Sequence, residues 1–132
     1  MSFRLFALIA LFFSSHAFAA PAPPVPPRVG ISSPDGNLSV EVTTDNDGRP
    51  SYAVLRDGRP VIAPSRLGFM FIDAPKLERN FVIAGHKTGT FDETWEQPWG
   101  ERRSIRNHYN ELRVTLVEKN ALKRSLDVVF RV

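Results

Sequence analysis

Apolar and polar residues alternate with a period of two along most of this chain. Leu38, Val40 and Val42 alternate with polar neighbours, and the same pattern returns in residues 112–116 and 126–132. Successive side chains of a β-strand point to opposite faces of a sheet, so this pattern predicts half-buried strands. No stretch combines helical periodicity with capping residues. The sequence therefore predicts an all-β fold.

Turn residues separate the alternating segments at short distances. Asp57-Gly58 lies between two apolar segments, residues 52–55 and 61–63, and supplies the positive φ angles that a tight hairpin requires. Asp35-Gly36 and Asp47-Gly48 have the same turn chemistry. This spacing indicates an antiparallel β-sandwich of about seven or eight strands.

Two apolar segments and one long polar segment complete the pattern. Residues 67–72 and 81–84 are apolar enough to form buried strands. Residues 85–106 contain glycines, charges, two tryptophans and Pro98, which favours a long ordered excursion over a further strand pair. The last segment alternates up to Val132 without a turn, whereas natural domains usually protect such an edge. We therefore expect a truncated sandwich.

The first 30 residues have the organisation of an export signal followed by a spacer. One positive charge precedes the apolar run 5–13, which is too short to span a bilayer. Ala17 and Ala19 then stand at the spacing that signal peptidase accepts, which predicts a signal peptide that ends at Ala19. Prolines in residues 20–30 predict an extended linker before a domain over residues 31–132. The mature protein is expected to be periplasmic or secreted.

Composition narrows the possible classes of protein. The chain has no cysteine, which excludes a disulfide-stabilised module and a cysteine-ligated zinc site. Loss of Arg4 with the signal leaves 16 of the 17 basic residues against 14 acidic ones, a formal charge of +2. Because these basic residues are scattered, we expect no nucleic-acid partner. No later segment is long and apolar enough to span a bilayer, so we also expect no membrane partner once the signal is removed.

The densest cluster of aromatic and charged residues begins at Phe91 and ends at Glu111. It contains Thr-Trp-Glu-x-x-Trp-Gly-Glu over residues 94–101 and Ile-Arg-Asn-His-Tyr-Asn-Glu-Leu over residues 105–112. These motifs resemble the N-terminal domain of glycoside hydrolase family 97, the α-glucosidase and α-galactosidase family of polysaccharide-utilising bacteria. The resemblance covers residues 31–132, because shorter segments such as Ser-Pro-Asp-Gly-Asn-Leu, Pro-Ser-Arg-Leu-Gly and Val-Val-Phe-Arg also resemble that domain.

The resemblance implies a fold, a partner domain and a cofactor. In that family the N-terminal domain is a β-sandwich of the galactose-mutarotase-like kind, a supersandwich, which packs against a catalytic (β/α)-barrel. The barrel carries the catalytic carboxylates and, with help from the sandwich, binds a calcium ion. This sequence resembles only part of the sandwich, so we assign no catalytic residue, no metal ligand and no cofactor to it. The implied substrate of the parent enzyme is an α-linked oligosaccharide.

Six residues of the aromatic cluster are candidates for contact with substrate or with the barrel. Trp95 and Trp99 could stack on sugar rings, but we favour packing against the barrel. Glu101 could form an acid pair with Glu93 or Glu96, since glycoside hydrolysis needs two carboxylates. We favour instead a network of ion pairs, because acidic residues alternate with basic ones in this segment. The remaining candidates are Arg106, His108 and Tyr109.

Two of the polar features in the sequence have a structural interpretation that we prefer. His108 could titrate in a site, but a lone histidine beside a tyrosine is more often a hydrogen-bonded structural group. Asp45-Asn46-Asp47-Gly48 resembles a calcium loop superficially, yet it lacks the first ligand and a suitably placed glutamate. We interpret it as a turn.

Two functional hypotheses follow. The first is a fragment or accessory domain of an exported family 97-like glycoside hydrolase that acts on α-glucosides or α-galactosides, with no catalysis by itself. The second is a free-standing carbohydrate-binding or periplasmic interaction module that uses Trp95 and Trp99 as its platform.

The export signal gives the first testable prediction. Because Ala17 and Ala19 follow a short apolar run, protein exported by a bacterial host should begin at Ala20. N-terminal sequencing of the exported product checks this. Recovery of Met1 on membrane-bound protein would contradict it.

Overall fold

Seven antiparallel strands account for most of residues 27–132, the part of the chain that this computed structural model describes. They are β1 (Arg28–Ser32), β2 (Leu38–Thr44), β3 (Pro50–Arg56), β4 (Arg59–Arg66), β5 (Phe81–Glu96), β6 (Ser104–Glu118) and β7 (Ser125–Arg131). One sheet has the order β1-β2-β3-β4 and the second has the order β5-β6-β7. Residues 27–132 contain no helix, and therefore none that could cross a membrane. The predicted all-β class and antiparallel sandwich are confirmed.

The N-terminal predictions lie largely outside the described residues. The predicted signal peptide, residues 1–19, and residues 20–26 of the predicted linker belong to the part that the structure does not describe. Strand β1 begins at Arg28, inside the segment that the sequence predicts as linker. It pairs with β2 from Arg28 opposite Thr43 to Ser32 opposite Ser39.

The two sheets pack together through the alternating positions of β2 and β6. Strand β2 and the part of β6 from Leu112 onward bury every second residue, because alternate side chains point into the space between the sheets. Burial of a large apolar side chain stabilises a fold by about 1.5–3 kcal/mol, so this cluster is the main source of stability. The cluster consists of Val40, Val42, Leu77, Phe81, Leu112, Val114 and Leu116.

Contacts at the edges of the core fix the sheets relative to each other. The rings of Tyr52 in β3 and Phe130 in β7 lie 5.8 Å apart between centroids. Asn110 in β6 donates from Nδ2 to the carbonyl of Ser32 in β1 at 2.8 Å. Phe130 lies on the half-buried face of β7, as the alternation in residues 126–132 predicts.

The predicted turns are confirmed by backbone conformation. Asp57 and Gly58 have φ angles of 50° and 75°, and both central residues of a type I′ hairpin turn require positive φ. Gly48 also has positive φ, at 67°. A Cβ at Gly48 would lie 2.6 Å from the nitrogen of Phe81, because the β2–β3 turn contacts the start of β5 there. Only glycine satisfies both constraints at this position.

The predicted strand over residues 67–72 is wrong. Residues 67–80 instead form an irregular loop with a single bridge, in which Phe69 and Leu77 exchange two backbone hydrogen bonds of 2.9 Å. Arg124 donates to the carbonyls of Pro75 and Lys76, each at 2.8 Å. A side chain therefore takes the role of hydrogen-bond partner for part of the loop backbone, so the loop does not need to pair with a strand although its sequence is apolar.

The long excursion predicted over residues 85–106 is also wrong. Strands β5 and β6 pair from Phe81 opposite Glu118 to Glu96 opposite Ser104, and only residues 97–103 form the connection. A bulge at Ala84 interrupts the register between Ile83 and Gly85. The alternation is hidden in the sequence because this bulge shifts its phase and the outer part of the hairpin has no buried face.

Strand β4 forms an edge that is unsuited to further pairing. Its residues are exposed except for Ser65, and exposed fractions of 60% at Val61 and 41% at Ile62 leave apolar surface on the strand. Pro60 and Pro64 have no backbone N–H and therefore cannot donate to a neighbouring strand. This edge is protected by its own sequence.

One buried ion pair joins the end of β6 to the 67–80 loop. The Glu118 residue is only 2% exposed, and Arg124 donates to its two carboxylate oxygens at 2.7 and 2.9 Å. These hydrogen bonds hold the pKa of the Glu118 carboxyl below its ordinary value, against the effect of burial. The same guanidinium binds the two loop carbonyls, so the pair anchors the loop as well as neutralising the carboxylate.

Acid should destabilise the domain through Glu118. Because its pKa is lowered in the folded state, the contribution of the pair is complete above the ordinary pKa of 4.5 and is lost as the pH falls through the lower folded value. We expect the melting temperature of the wild type to decrease when the pH is lowered below 4.5. Glu118→Gln should decrease the melting temperature at pH 7, and the melting temperature of this variant should depend less on acid.

Arg113→Gln is the control for this measurement. Its guanidinium is about half exposed and lies 3.8 Å from Asp127, so its loss should change the melting temperature little. Equal acid sensitivity of the wild type and Glu118→Gln would contradict the assignment.

Candidate functional site

The outer part of the β5–β6 hairpin projects beyond the rest of the sandwich. Pairing between β6 and β7 ends where Glu111 faces Arg131 and Asn110 exchanges backbone hydrogen bonds with Val132. Within residues 27–132, β6 pairs only with β5 beyond that point. We call residues 91–109 the arm. Most of its residues are exposed, so its two faces can differ in chemistry without affecting the core.

One face of the arm is aromatic. Phe91 and Trp95 of β5 face Tyr109 and Ile105 of β6, respectively, in the pairing register. The rings of Phe91 and Tyr109 are stacked, with centroids 5.1 Å apart and planes at 21°. The guanidinium of Arg131 lies over the Tyr109 ring at 5.1 Å, within the range of a cation–π contact. Trp95 is 48% exposed.

The opposite face of the arm is charged. Arg106 donates from Nε and from one terminal nitrogen to the two oxygens of Asp92, at 2.8 and 2.7 Å. This bidentate contact crosses the ladder diagonally, since Asp92 faces His108 and Arg106 faces Thr94. The hydrogen bonds from Arg106 lower the pKa of Asp92, and Asp92 in turn raises the pKa of Arg106. Asp92 is therefore held as a carboxylate at neutral pH.

The tip of the arm, residues 97–103, presents Trp99 and Glu101 to solvent. Gln97 shapes this turn, because its backbone nitrogen donates to the carbonyl of Arg103 and its side-chain amide donates to that of Arg102, each at 2.9 Å. Gly100 has a φ of 122°, which favours glycine. The Trp99 residue is 83% exposed. The Trp99 indole is therefore exposed at the tip, and no other residue of the tip covers it.

The glutamates of the arm do not converge on one cleft. Glu93 lies on the aromatic face opposite Asn107, whereas Glu96 lies on the charged face opposite Ser104. Glu96 pairs with Arg103 at 3.1 Å, which supports part of the expected ion-pair network. Glu93 and Glu101 form no ion pair within residues 27–132. This arrangement lacks the two facing carboxylates of a glycosidase site.

His108 and Tyr109 differ in how firmly they are held. His108 is exposed on the charged face, and its ring forms no hydrogen bond within residues 27–132. The hydrogen-bonded role that we favour from the sequence is therefore not seen in this part of the chain. His108 borders an open hollow of about 400 Å³ together with Asp35 and Val132. Tyr109, in contrast, is fixed between Phe91 and Arg131.

The described residues do not by themselves assemble a cluster of acidic side chains that could hold a calcium ion. Within residues 27–132 no three acidic, histidine or cysteine side chains come together as potential ligands. One Asp45 carboxylate oxygen accepts hydrogen bonds from the backbone nitrogens of Asp47 and Arg49, at 3.0 and 2.8 Å. Residues 45–48 therefore form a turn that uses its own carboxylate internally.

Sequence reasoning missed three residues that organise the arm. Phe91 and Asp92 lie inside the predicted excursion. Arg131 lies in a strand that is recognised by its apolar residues alone. The signal was present for Phe91, because it alternates with Trp95 at a spacing of four. A search for strand periodicity within residues 86–96 would have placed both rings on one face.

Comparison with known proteins identifies relatives over most of the chain. A family profile described as Glycosyl-hydrolase 97 N-terminal matches residues 31–132. The retaining alpha-galactosidase of Bacteroides thetaiotaomicron is 29% identical over 82 residues, which are 62% of this chain and 12% of that enzyme.

Solved structures show the same fold. A glycoside hydrolase family 97 enzyme from Pseudoalteromonas sp. strain K8, solved in complex with panose and with acarbose, superposes with a TM-score of 0.73 at 30% identity. A beta-arabinopyranosidase gives a TM-score of 0.68 at 27% identity. The matches cover 78% and 79% of this chain but 15% and 16% of those chains. The chain thus spans a small part of the length of its relatives.

Proposed function

The chain belongs to the glycosyl-hydrolase 97 N-terminal family, and from this membership we propose that it is the non-catalytic N-terminal domain of an exported glycoside hydrolase. The parent enzyme would act on α-glucosides or α-galactosides. Its relatives include an alpha-galactosidase and an enzyme that binds the oligosaccharide panose. Export rests on the predicted signal peptide, and a periplasmic or secreted location follows from it.

The arm supports this proposal because it has the features of a surface that contacts another domain. A two-stranded ribbon has little stability of its own in water, yet the arm holds its shape with a stacked ring pair on one face and a bidentate ion pair on the other. We propose that Trp95 and Trp99 pack against a catalytic (β/α)-barrel. Both indoles expose apolar surface that such a partner would cover.

Catalysis would belong to the partner domain. Glu93, Glu96 and Glu101 lie on two faces and at the tip, so they offer no acid pair across a cleft. Calcium, which the resemblance implies for the parent enzyme, would need ligands from the partner domain, since no three acidic or histidine side chains come together within residues 27–132.

A second candidate function is direct binding of an α-linked oligosaccharide by the arm. The observation that favours it is the exposure of Trp99, together with the flat aromatic surface of Phe91 and Tyr109 beside Trp95. Aromatic faces suit the C–H surface of a pyranose ring. In this version the chain is a carbohydrate-binding or scaffold module.

The first function predicts that the chain is inactive by itself. Purified residues 20–132 should not hydrolyse aryl α-glucosides or aryl α-galactosides, with or without added calcium, because no carboxylate pair faces a cleft. Release of the chromogenic aglycone measures this. Turnover above the buffer blank that disappears in Glu101→Gln would overturn the assignment.

Trp95→Ala and Trp99→Ala separate the two functions. If the rings pack on a partner, the isolated chain should show no saturable binding of maltooligosaccharides or galacto-oligosaccharides in calorimetric titration. In a longer enzyme that buries both rings, each substitution should then lower the free energy of unfolding by about 3–5 kcal/mol.

Binding by the wild-type chain that is lost in both variants would instead support the carbohydrate platform. Phe71→Ala is the matched control, since Phe71 is 46% exposed and lies outside the arm. Its titration should equal that of the wild type under either function.

A further inference from the structure

The loop between β4 and β5 carries a rigid apolar projection. Its base is fixed by the Phe69–Leu77 bridge and by Arg124, which binds the carbonyls of Pro75 and Lys76. Leu77 is buried in the core. Between these fixed points the exposed fractions are 75% at Met70, 46% at Phe71 and 100% at Ile72. A fixed loop that exposes consecutive large apolar residues is typical of an interaction site.

A hollow lies directly beside this projection. Its volume is about 310 Å³, enough for a branched aliphatic side chain, and Leu67, Phe69 and Met70 are its apolar lining residues. Three arginines, Arg49, Arg66 and Arg79, border it with a single acidic residue, Glu78. Arg66 forms no ion pair within residues 27–132. The hollow therefore combines an apolar wall with a surplus of positive charge.

The projection has the complementary chemistry. Ile72 is followed by Asp73, which is exposed and forms no ion pair within the described part of the chain. An apolar side chain with an adjacent carboxylate thus lies next to a hollow of mixed lining. Arg49 and Arg79 pair with Asp47 and Glu78 there, whereas Arg66 has no acidic partner among residues 27–132. A patch that contains both a projection and a matching hollow can pair with a copy of itself through a two-fold axis.

We propose that this patch is a symmetric contact between two copies of the chain. Ile72 of each copy enters the hollow of the other, and Asp73 approaches Arg66 of the other copy. The contact uses side chains only, because Pro60 and Pro64 prevent pairing of the adjacent β4 edge. Its small size places it among weak, reversible interfaces.

The patch is distinct from the arm. The loop adjoins the start of β5, where Leu77 and Phe81 share the core, and the arm lies at the other end of this strand of 16 residues. At roughly 3.3 Å per residue, the inner part of β5, from Phe81 to Phe91, separates the loop from the start of the arm by about 33 Å. Self-association can therefore occur while the arm stays free.

Sedimentation equilibrium of residues 20–132 over a range of concentrations tests the proposal. We expect a reversible monomer–dimer equilibrium in the wild type. Ile72→Arg should abolish the dimer, since it places a positive charge beside Arg49, Arg66 and Arg79 of the other copy. Asp73→Arg and Arg66→Asp should each weaken association about tenfold or more, and the double variant should recover most of it because the charges are exchanged.

Controls distinguish loss of contact from loss of fold. The substituted side chains are exposed, so the melting temperatures of Ile72→Arg and Asp73→Arg at low concentration should equal that of the wild type. Trp99→Arg places the same charge on an exposed apolar residue of the arm and should leave the dimer unchanged. A chain that is monomeric at every concentration, or a dimer that survives Ile72→Arg, would overturn the proposal.

Discussion

Glu118 ends strand β6 with a carboxylate that is almost completely removed from water, and Arg124 compensates for that burial with two hydrogen bonds. Burial of the Glu118 charge without such a partner would reduce the free energy of unfolding by several kcal/mol. The position of Arg124 is therefore constrained by Glu118. Its remaining donors reach Pro75 and Lys76. One guanidinium thereby links the end of the second sheet to the loop that delivers Leu77 to the core, and both the rigidity of that loop and the start of β5 depend on it.

From this anchored end, β5 and β6 extend together beyond the core. Within the described residues the outer parts of both strands are exposed on both faces, and alternation assigns a separate chemistry to each. Phe91 and Tyr109 stack on one side, while Asp92 and Arg106 pair on the other. The charged face keeps the ribbon soluble, and the aromatic face offers apolar area to a partner. The arm thus carries two different chemistries on one two-stranded ribbon.

The sequence predicted best where one side of a strand is buried. Residues 38–43 and 112–116 alternate visibly because Val42 and Val114 face the core, and Asp57-Gly58 predicts its turn because few residues adopt positive φ. Prediction failed in residues 67–72, which belong to a loop held by the Phe69–Leu77 bridge and by Arg124, distant in sequence, at the carbonyls of Pro75 and Lys76. It failed again in residues 85–106, where the bulge at Ala84 shifts the phase. The aromatic motif still identified the family, although it could not show that its residues divide between two faces.

The prolines of β4 have a consequence for how this domain behaves at high concentration. Val61-Ile62-Ala63 is the apolar part of the exposed edge, and Pro60 and Pro64 enclose it on both sides. A cross-β stack needs about six residues of strand without proline, so this segment is too short to seed one. The same chain can therefore keep apolar surface available for reversible contacts while its most exposed strand resists conversion to amyloid.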